Sequence, residues 1–202
     1  MFYDPDSKER ALRHDPFKAI VVPRPIGWIS SLDAQGRINL APYSFFNGIA
    51  SRPRMVMFSS ESRKDSVRNI EATREFVCNL ATWDLRDAVN QSSGDYPSGV
   101  DEMEKSGLTP APSVKVKPPR VAESPCALEC KLVSVTQLQD MDGNAIDNFM
   151  VIGQVVGIYI DDRFLRDGIL DTGAMHPIAR CGYRGDYAKV DTMFEMFRPE
   201  TV

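Results

Sequence analysis

Residues 26–32 constrain the fold most. Ile26, Trp28, Ser30 and Leu32 alternate with Gly27, Ile29 and Ser31, which is the two-residue period of an extended strand. Asp33-Ala34-Gln35-Gly36 follows with turn chemistry, and residues 37–41 can return beside the first strand, so the pattern predicts a β-hairpin. Pro42 is expected to interrupt the returning strand, because it has no N–H to give to a ladder. Met55-Val56-Met57-Phe58 reads as a short buried strand and residues 75–80 as another. Farther on, Cys126, Leu128, Cys130 and Leu132 share one face, with Glu129 and Lys131 on the other. Asp142-Gly143-Asn144 marks a turn, and residues 149–160 give the longest apolar strand.

Helical signals are few. From Asp65 onward, Val67 and Ile70 form a one-sided stripe that ends at Arg74, which predicts a short helix capped by Asp65 or Ser66. A second runs from Asp84 through Leu85, Ala88 and Val89. Residues 92–125, rich in Ser, Gly and Pro, read as a long excursion over the surface. Many strands, tight turns and short helices predict a mainly β fold, a β-barrel or sandwich with added helices. A length of 202 residues suits one domain spanning 1–202 and allows a core without disulfide or metal staples.

Composition excludes several classes. The net charge of −4, from 24 basic and 28 acidic residues, gives no global attraction to nucleic acid or to an anionic membrane. The longest apolar stretch, 149–160, is well short of the ~20 residues of a spanning helix. Met1-Phe2-Tyr3-Asp4-Pro5-Asp6 lacks the basic start and apolar run of a secretory signal, so the four cysteines are expected as reduced thiols in a cytoplasm.

Cys126 and Cys130 invite a metal reading, but on a strand they stand roughly 13 Å apart at ~3.3 Å per residue. One zinc ion or one disulfide needs them much closer, and core packing is the better account. No Gly-x-Ser-x-Gly elbow, Gly-x-Gly-x-x-Gly or Gly-Lys-Ser/Thr signature occurs. Ser59-Ser60-Glu61-Ser62-Arg63-Lys64-Asp65-Ser66 gathers hydroxyls and two cations at a helix start, chemistry suited equally to an anion such as phosphate and to a solvated cap. Asn39-Leu40-Ala41-Pro42-Tyr43-Ser44-Phe45-Phe46-Asn47 interleaves amides and hydroxyls with aromatics, as a flat polar ligand or ordinary core packing would require. Residues 176–187, from His176 through Arg180 and Tyr183 to Tyr187, suit either a ligand loop or a segment packed on a partner subunit.

Together these stretches resemble the flavin reductase-like family of FMN-binding split-barrel proteins, which includes flavoredoxin. The resemblance rests on Arg24-Pro25-Ile26-Gly27-Trp28-Ile29-Ser30-Ser31, on residues 39–47, on Lys64-Asp65-Ser66-Val67-Arg68-Asn69, on residues 75–80 and on residues 176–187. It covers nearly the whole chain, apart from the tail after Lys189. It implies a six-stranded Greek-key barrel and a homodimer with FMN near the interface. It also implies a phosphate site at Arg63, Lys64, Asp65 and Ser66, with Ser30, Ser31, Tyr43, Ser44, Phe45, Phe46 and Asn47 along the flavin and Arg180 close by. His176 and Tyr183 are then expected to touch the second substrate. The implied activity is that of an NAD(P)H-dependent flavin reductase or a flavoredoxin-like electron carrier, in which the flavin carries the chemistry. A non-catalytic FMN-binding or storage module is the main alternative, and a hydrolase using His176 on a β scaffold is a lesser one.

Overall fold

A computed structural model describes residues 1–7 and 12–199. Seven strands form the main sheet: β1 (Gly27–Leu32), β2 (Ile38–Tyr43), β3 (Phe46–Ser51), β4 (Arg54–Glu61), β5 (Glu75–Leu80), β6 (Cys126–Gln139) and β7 (Ala145–Ile160). All neighbours are antiparallel and their spatial order is β2-β1-β5-β6-β7-β4-β3. The two edge strands, β2 and β3, are joined by only Ser44 and Phe45. Two extended residues reach ~7 Å, so a sheet whose opposite edges are this close in sequence must curl round until those edges meet. The Ser59 amide donates to the Phe45 carbonyl at 2.8 Å, which carries the β3–β4 ladder one residue past Phe46 to the junction between the edges. The result is a split barrel with seven strands in the sheet rather than six, and residues 47–51 of its edge strand β3 are exposed.

The opening hairpin forms for the reason its sequence suggests. The Asp33 carboxylate accepts from the amides of Gln35 and Arg37 and from Arg37 Nε, while Gly36 takes the left-handed conformation the turn requires. Pro42 does not end β2. It lies opposite Trp28 within the strand, which is tolerated because β2 is an edge with one side free of ladder partners.

Inside the barrel, Ile29, Phe58, Phe76, Cys130 and Val151 are fully buried, and helix α1 (Asp65–Thr73) packs Val67 and Ile70 into the same core. Phe76 lies so close to β7 that a Cβ on Gly153 would sit 2.3 Å from its ring, which explains a glycine in mid-strand. On Gly27 a Cβ would meet the Phe46 ring at 2.5 Å, so the room beside β1 is already filled across the seam.

A second core lies outside the barrel wall, where Trp28, Leu40 and Ile178 meet Val89 of helix α2 (Arg86–Gln91) and Met103, Leu108 and Val121. Residues 92–125 are therefore more than a surface excursion, since they cover the outer face of β1. That cover makes both faces of β1 dry, and Glu129 is buried behind it with its carboxylate accepting the amides of Val114 and Lys115. The four cysteines are free thiols, and burial holds the Cys78 thiol, beside Cys130, well above its ordinary value.

Candidate functional site

Helix α1 begins at Lys64, the N-cap, and no side chain caps it. Neither Asp65 nor Ser66 serves as the cap. The Asp65 carboxylate instead binds the Arg68 guanidinium and the Ser98 hydroxyl, and the Ser66 hydroxyl accepts from Asn39 Nδ2 at 2.9 Å. The first amides of a helix have no intrahelical acceptor, and here they open onto a cavity of about 360 Å³. Arg63, Lys64, Ser66 and Tyr43 line it, together with residues 92–96. Arg63 has its fork occupied by Glu71, with contacts of 2.5–2.9 Å, while Lys64 enters no ion pair among the described residues. Lys64 is thus the cation free to meet an anion. The buried Tyr43 phenol, beside the Ser66 and Ser60 hydroxyls, is held protonated above its ordinary value chiefly by burial.

A second cavity of about 400 Å³ adjoins the first, sharing Pro42 and Ser93 with it, and adds Ser44, Arg180, Arg184 and Tyr187. Arg180 stacks over the Tyr187 ring at 4.6 Å. A polar groove thus runs from the start of α1 along the barrel seam to the segment 180–187. The combined space falls within the range usual for cofactor sites. Cationic helix start, hydroxyl-lined seam and guanidinium at the far end form a donor set that fits a phosphorylated, planar, polar cofactor such as FMN.

The predicted residues do not all gather there. Ser30 and Ser31 are fully buried and committed to the protein: Ser30 Oγ donates to the Pro119 carbonyl at 2.6 Å, and Ser31 Oγ accepts from Asn69. They brace the groove from behind because the cover on β1 leaves neither face open. Phe45, half-buried, stands near Phe17, Lys18 and Arg24, and Phe46 packs over Gly27. Asn47 is exposed, and its carboxamide bonds the Gly48 amide. His176, in the left-handed conformation, receives the Trp83 amide on its carbonyl and lines none of the cavities that hold Arg180 or Tyr183.

Sequence reasoning missed residues 92–96 and Glu102. A serine- and glycine-rich loop fixed on a rigid scaffold was the available signal. Its anchor is the indole of Trp28, which donates to Ser92 Oγ at 2.9 Å. Glu102 lines the same cavity, and its Oε2 accepts the Leu40 amide at 2.8 Å. Burial raises its pKa above the ordinary carboxylate value, and the charges of Asp65 and Asp101 add to this while the Leu40 amide opposes it. The folded chain therefore holds this proton more tightly than the unfolded chain, and the stability from this group falls as pH rises through the window between the two values. Glu102→Gln keeps an acceptor for Leu40 and removes the charge. It is expected to raise the urea midpoint at pH 7, with the gain vanishing below the ordinary carboxylate range; a gain independent of pH would remove the charge as its cause.

The curled sheet with its seam and cover defines the split-barrel class. A split-barrel protein from Shewanella frigidimarina NCIMB 400 matches 91% of this chain and 90% of its own at a TM-score of 0.80 and 24% identity. The chain belongs to the flavin reductase like domain family, whose model matches residues 19–178. Nitrilotriacetate monooxygenase component B from Bacillus cereus is similar over 97% of this chain and 98% of its own, with 26% identity and a TM-score of 0.88. Flavoredoxin of Desulfovibrio vulgaris (Miyazaki F) shares the fold over 97% of each chain, at 21% identity and a TM-score of 0.78. Membership places the chain among flavin-related oxidoreductases. No described helix is long and apolar enough to cross a membrane.

Proposed function

We propose that residues 1–202 form one cytoplasmic FMN-binding oxidoreductase domain, an NAD(P)H-dependent flavin reductase or a flavoredoxin-like electron carrier. The observation that carries the reading is the uncapped, cationic start of α1 opening into a groove along the barrel seam. In this reading Lys64 and the first amides of α1 hold the phosphate, with Ser66 and the Tyr43 phenol fixing the walls around it. Ser44 and Arg180 orient the ring end, and Phe45 and Phe46 exclude water from the seam side. The flavin, when bound, supplies hydride or single-electron transfer, which explains why the groove needs no acid–base pair of its own. Ser30, Ser31 and Asn47 are support residues, and of the two expected substrate contacts Tyr183 adjoins the groove through Arg180 and Arg184 while His176 stands apart.

A homodimer with FMN near the interface is part of the proposal. Supporting it is the edge strand β3, which exposes Ile49 and its neighbours on a free ladder edge, a surface that proteins ordinarily cover. The neighbour that is a component of a monooxygenase also favours a redox role.

The test is direct. Freshly purified protein is expected to be yellow or to take up micromolar FMN, and anaerobic NADH or NADPH is expected to bleach that flavin within seconds. Bound flavin that neither donor bleaches would leave the storage reading. A colourless protein that takes up no FMN would end both.

A further inference from the structure

The cavity at the start of α1 holds a carboxylate in what is otherwise an anion site. Glu102 opens the four-residue helix α3 (Glu102–Lys105) and is only 8% exposed. It reaches back to β2, where its Oε2 accepts the Leu40 amide at 2.8 Å. One residue earlier on that strand, Asn39 Nδ2 donates to Ser66 Oγ at 2.9 Å. Consecutive residues of β2 thus tie the carboxylate and the helix start to one cavity of about 360 Å³, which both of them line. Glu102 enters no ion pair among the described residues.

Charged groups stand around Glu102 on every side. Arg63, Lys64, Asp65 and Arg68 come from the start of α1, Asp95 from the 92–98 loop and the Tyr43 phenol from β2. Asp101, Glu104 and Lys105 belong to α3 and its cap. Most of these are already engaged. Arg63 is held by Glu71 and Arg68 by Asp65, the Asp101 carboxylate accepts the Met103 and Glu104 amides, and Asp95 is exposed to solvent. Of the cations lining the cavity, Lys64 alone is unpaired among the described residues, and Glu102 is the one buried carboxylate there without a cation. An ionised Glu102 would repel a phosphate dianion across so small a space, and water is too scarce beside it to screen the repulsion. Burial, with the charges of Asp65 and Asp101, already favours its neutral form.

We infer that this site takes up a phosphate monoester together with one proton, and that Glu102 holds the proton. The Leu40 amide occupies Oε2, which leaves Oε1 to carry it. In that form the carboxyl no longer opposes the phosphate and can donate a hydrogen bond in place of only accepting one. The proton comes from solvent and returns there when the ligand leaves. Glu102 thereby makes phosphate binding tighten as pH falls and loosen as it rises, while a flavin without the phosphate feels neither effect. The inference rests on the flavin reading for the identity of the ligand, but the proton uptake can be measured with inorganic phosphate alone.

FMN and riboflavin are titrated into flavin-free protein from about pH 7 to about pH 8.5, a range above the second ionisation of a phosphate monoester, so the ligand's own charge is constant. Wild-type affinity for FMN is expected to fall about three- to tenfold across that range, as uptake of up to one proton requires, while riboflavin affinity stays level. Calorimetry at the lower pH, in two buffers of different ionisation enthalpy, is expected to show net proton uptake with FMN and none with riboflavin. Glu102→Gln is expected to take up no proton, to lose the pH slope, and to bind FMN at least as tightly as wild type at the upper pH. A level wild-type affinity without proton uptake, the same slope in Glu102→Gln, or equal uptake with riboflavin would each overturn the inference. The wild-type proton count decides it even where the variant does not fold. Failure to take up FMN at any pH would instead sink the flavin reading, and the proton count with inorganic phosphate then decides the inference; binding of neither ligand would overturn both.

Discussion

Lys64→Ala is expected to weaken FMN binding by about ten- to a hundredfold while leaving riboflavin binding nearly unchanged. A hydrogen bond to a charged group contributes about 1.5–3 kcal/mol, and only FMN carries the charged group. Arg63→Ala is expected to do less, because that guanidinium is already bound by Glu71 in a two-pronged pair and lies over the Phe149 ring. Sequence chemistry treated the two cations alike, since adjacent basic residues at a helix start look equivalent until their partners are known. Fluorescence titration of both flavins into both variants measures the difference. Equal losses for FMN and riboflavin in Lys64→Ala would move this residue from the phosphate to the ring or to the fold.

Asn79→Ala is expected to be the most damaging change remote from the groove's surface. Asn79 is 2% exposed, and its Nδ2 donates to the Trp28 carbonyl at 3.0 Å and to Ser30 Oγ at 3.2 Å. Its Oδ1 accepts the Val121 amide at 2.8 Å. Ser30 completes the chain by donating to Pro119. Truncation strands buried groups on both the barrel wall and its cover, at about 1–3 kcal/mol for each group left unsatisfied. For a protein of this size, a loss of about 2–5 kcal/mol lowers Tm by roughly 5–15 °C. Ser30→Ala is expected to do less, because the Val121 amide keeps its acceptor. A thermal midpoint unchanged in Asn79→Ala would show that the cover does not depend on this network.

The hairpin, the short helix after Lys64 and the strand from 75 to 80 were legible because each is a local pattern, an alternation or a one-sided stripe bounded by turn or cap chemistry. Pro42 misled because an edge strand has one side free of ladder partners, where a missing N–H is tolerated, and edge position is set by topology. Ser30 and Ser31 misled for a related reason. A hydroxyl on a strand reads the same whether it faces a ligand or a covering loop, and the Ser/Gly/Pro-rich residues that cover them give no periodic signal of where they will lie.

The candidate site was half legible. Lys64 and Ser66 were marked by residue type at a helix start, Tyr43 and Ser44 through the family resemblance, and the structure sets all four along one groove. Glu102 gave no signal and the 92–96 loop only its Ser- and Gly-rich composition, since each is tied to the scaffold by a long-range bond, Glu102 to Leu40 and Ser92 to Trp28.

By itself the sequence determined the first hairpin, the helix after Lys64, several of the strands, the β character and the family, because hydrophobic period, turn residues and motif order are properties of neighbours along the chain. Tertiary structure alone decided which cation stays unpaired, which serines are sealed, and that residues 14–18 share a groove with 180–184. Those outcomes depend on how a seven-stranded sheet curls until its two edges meet at Ser44 and Phe45, and curvature brings together groups whose distance in sequence carries no information about their distance in space.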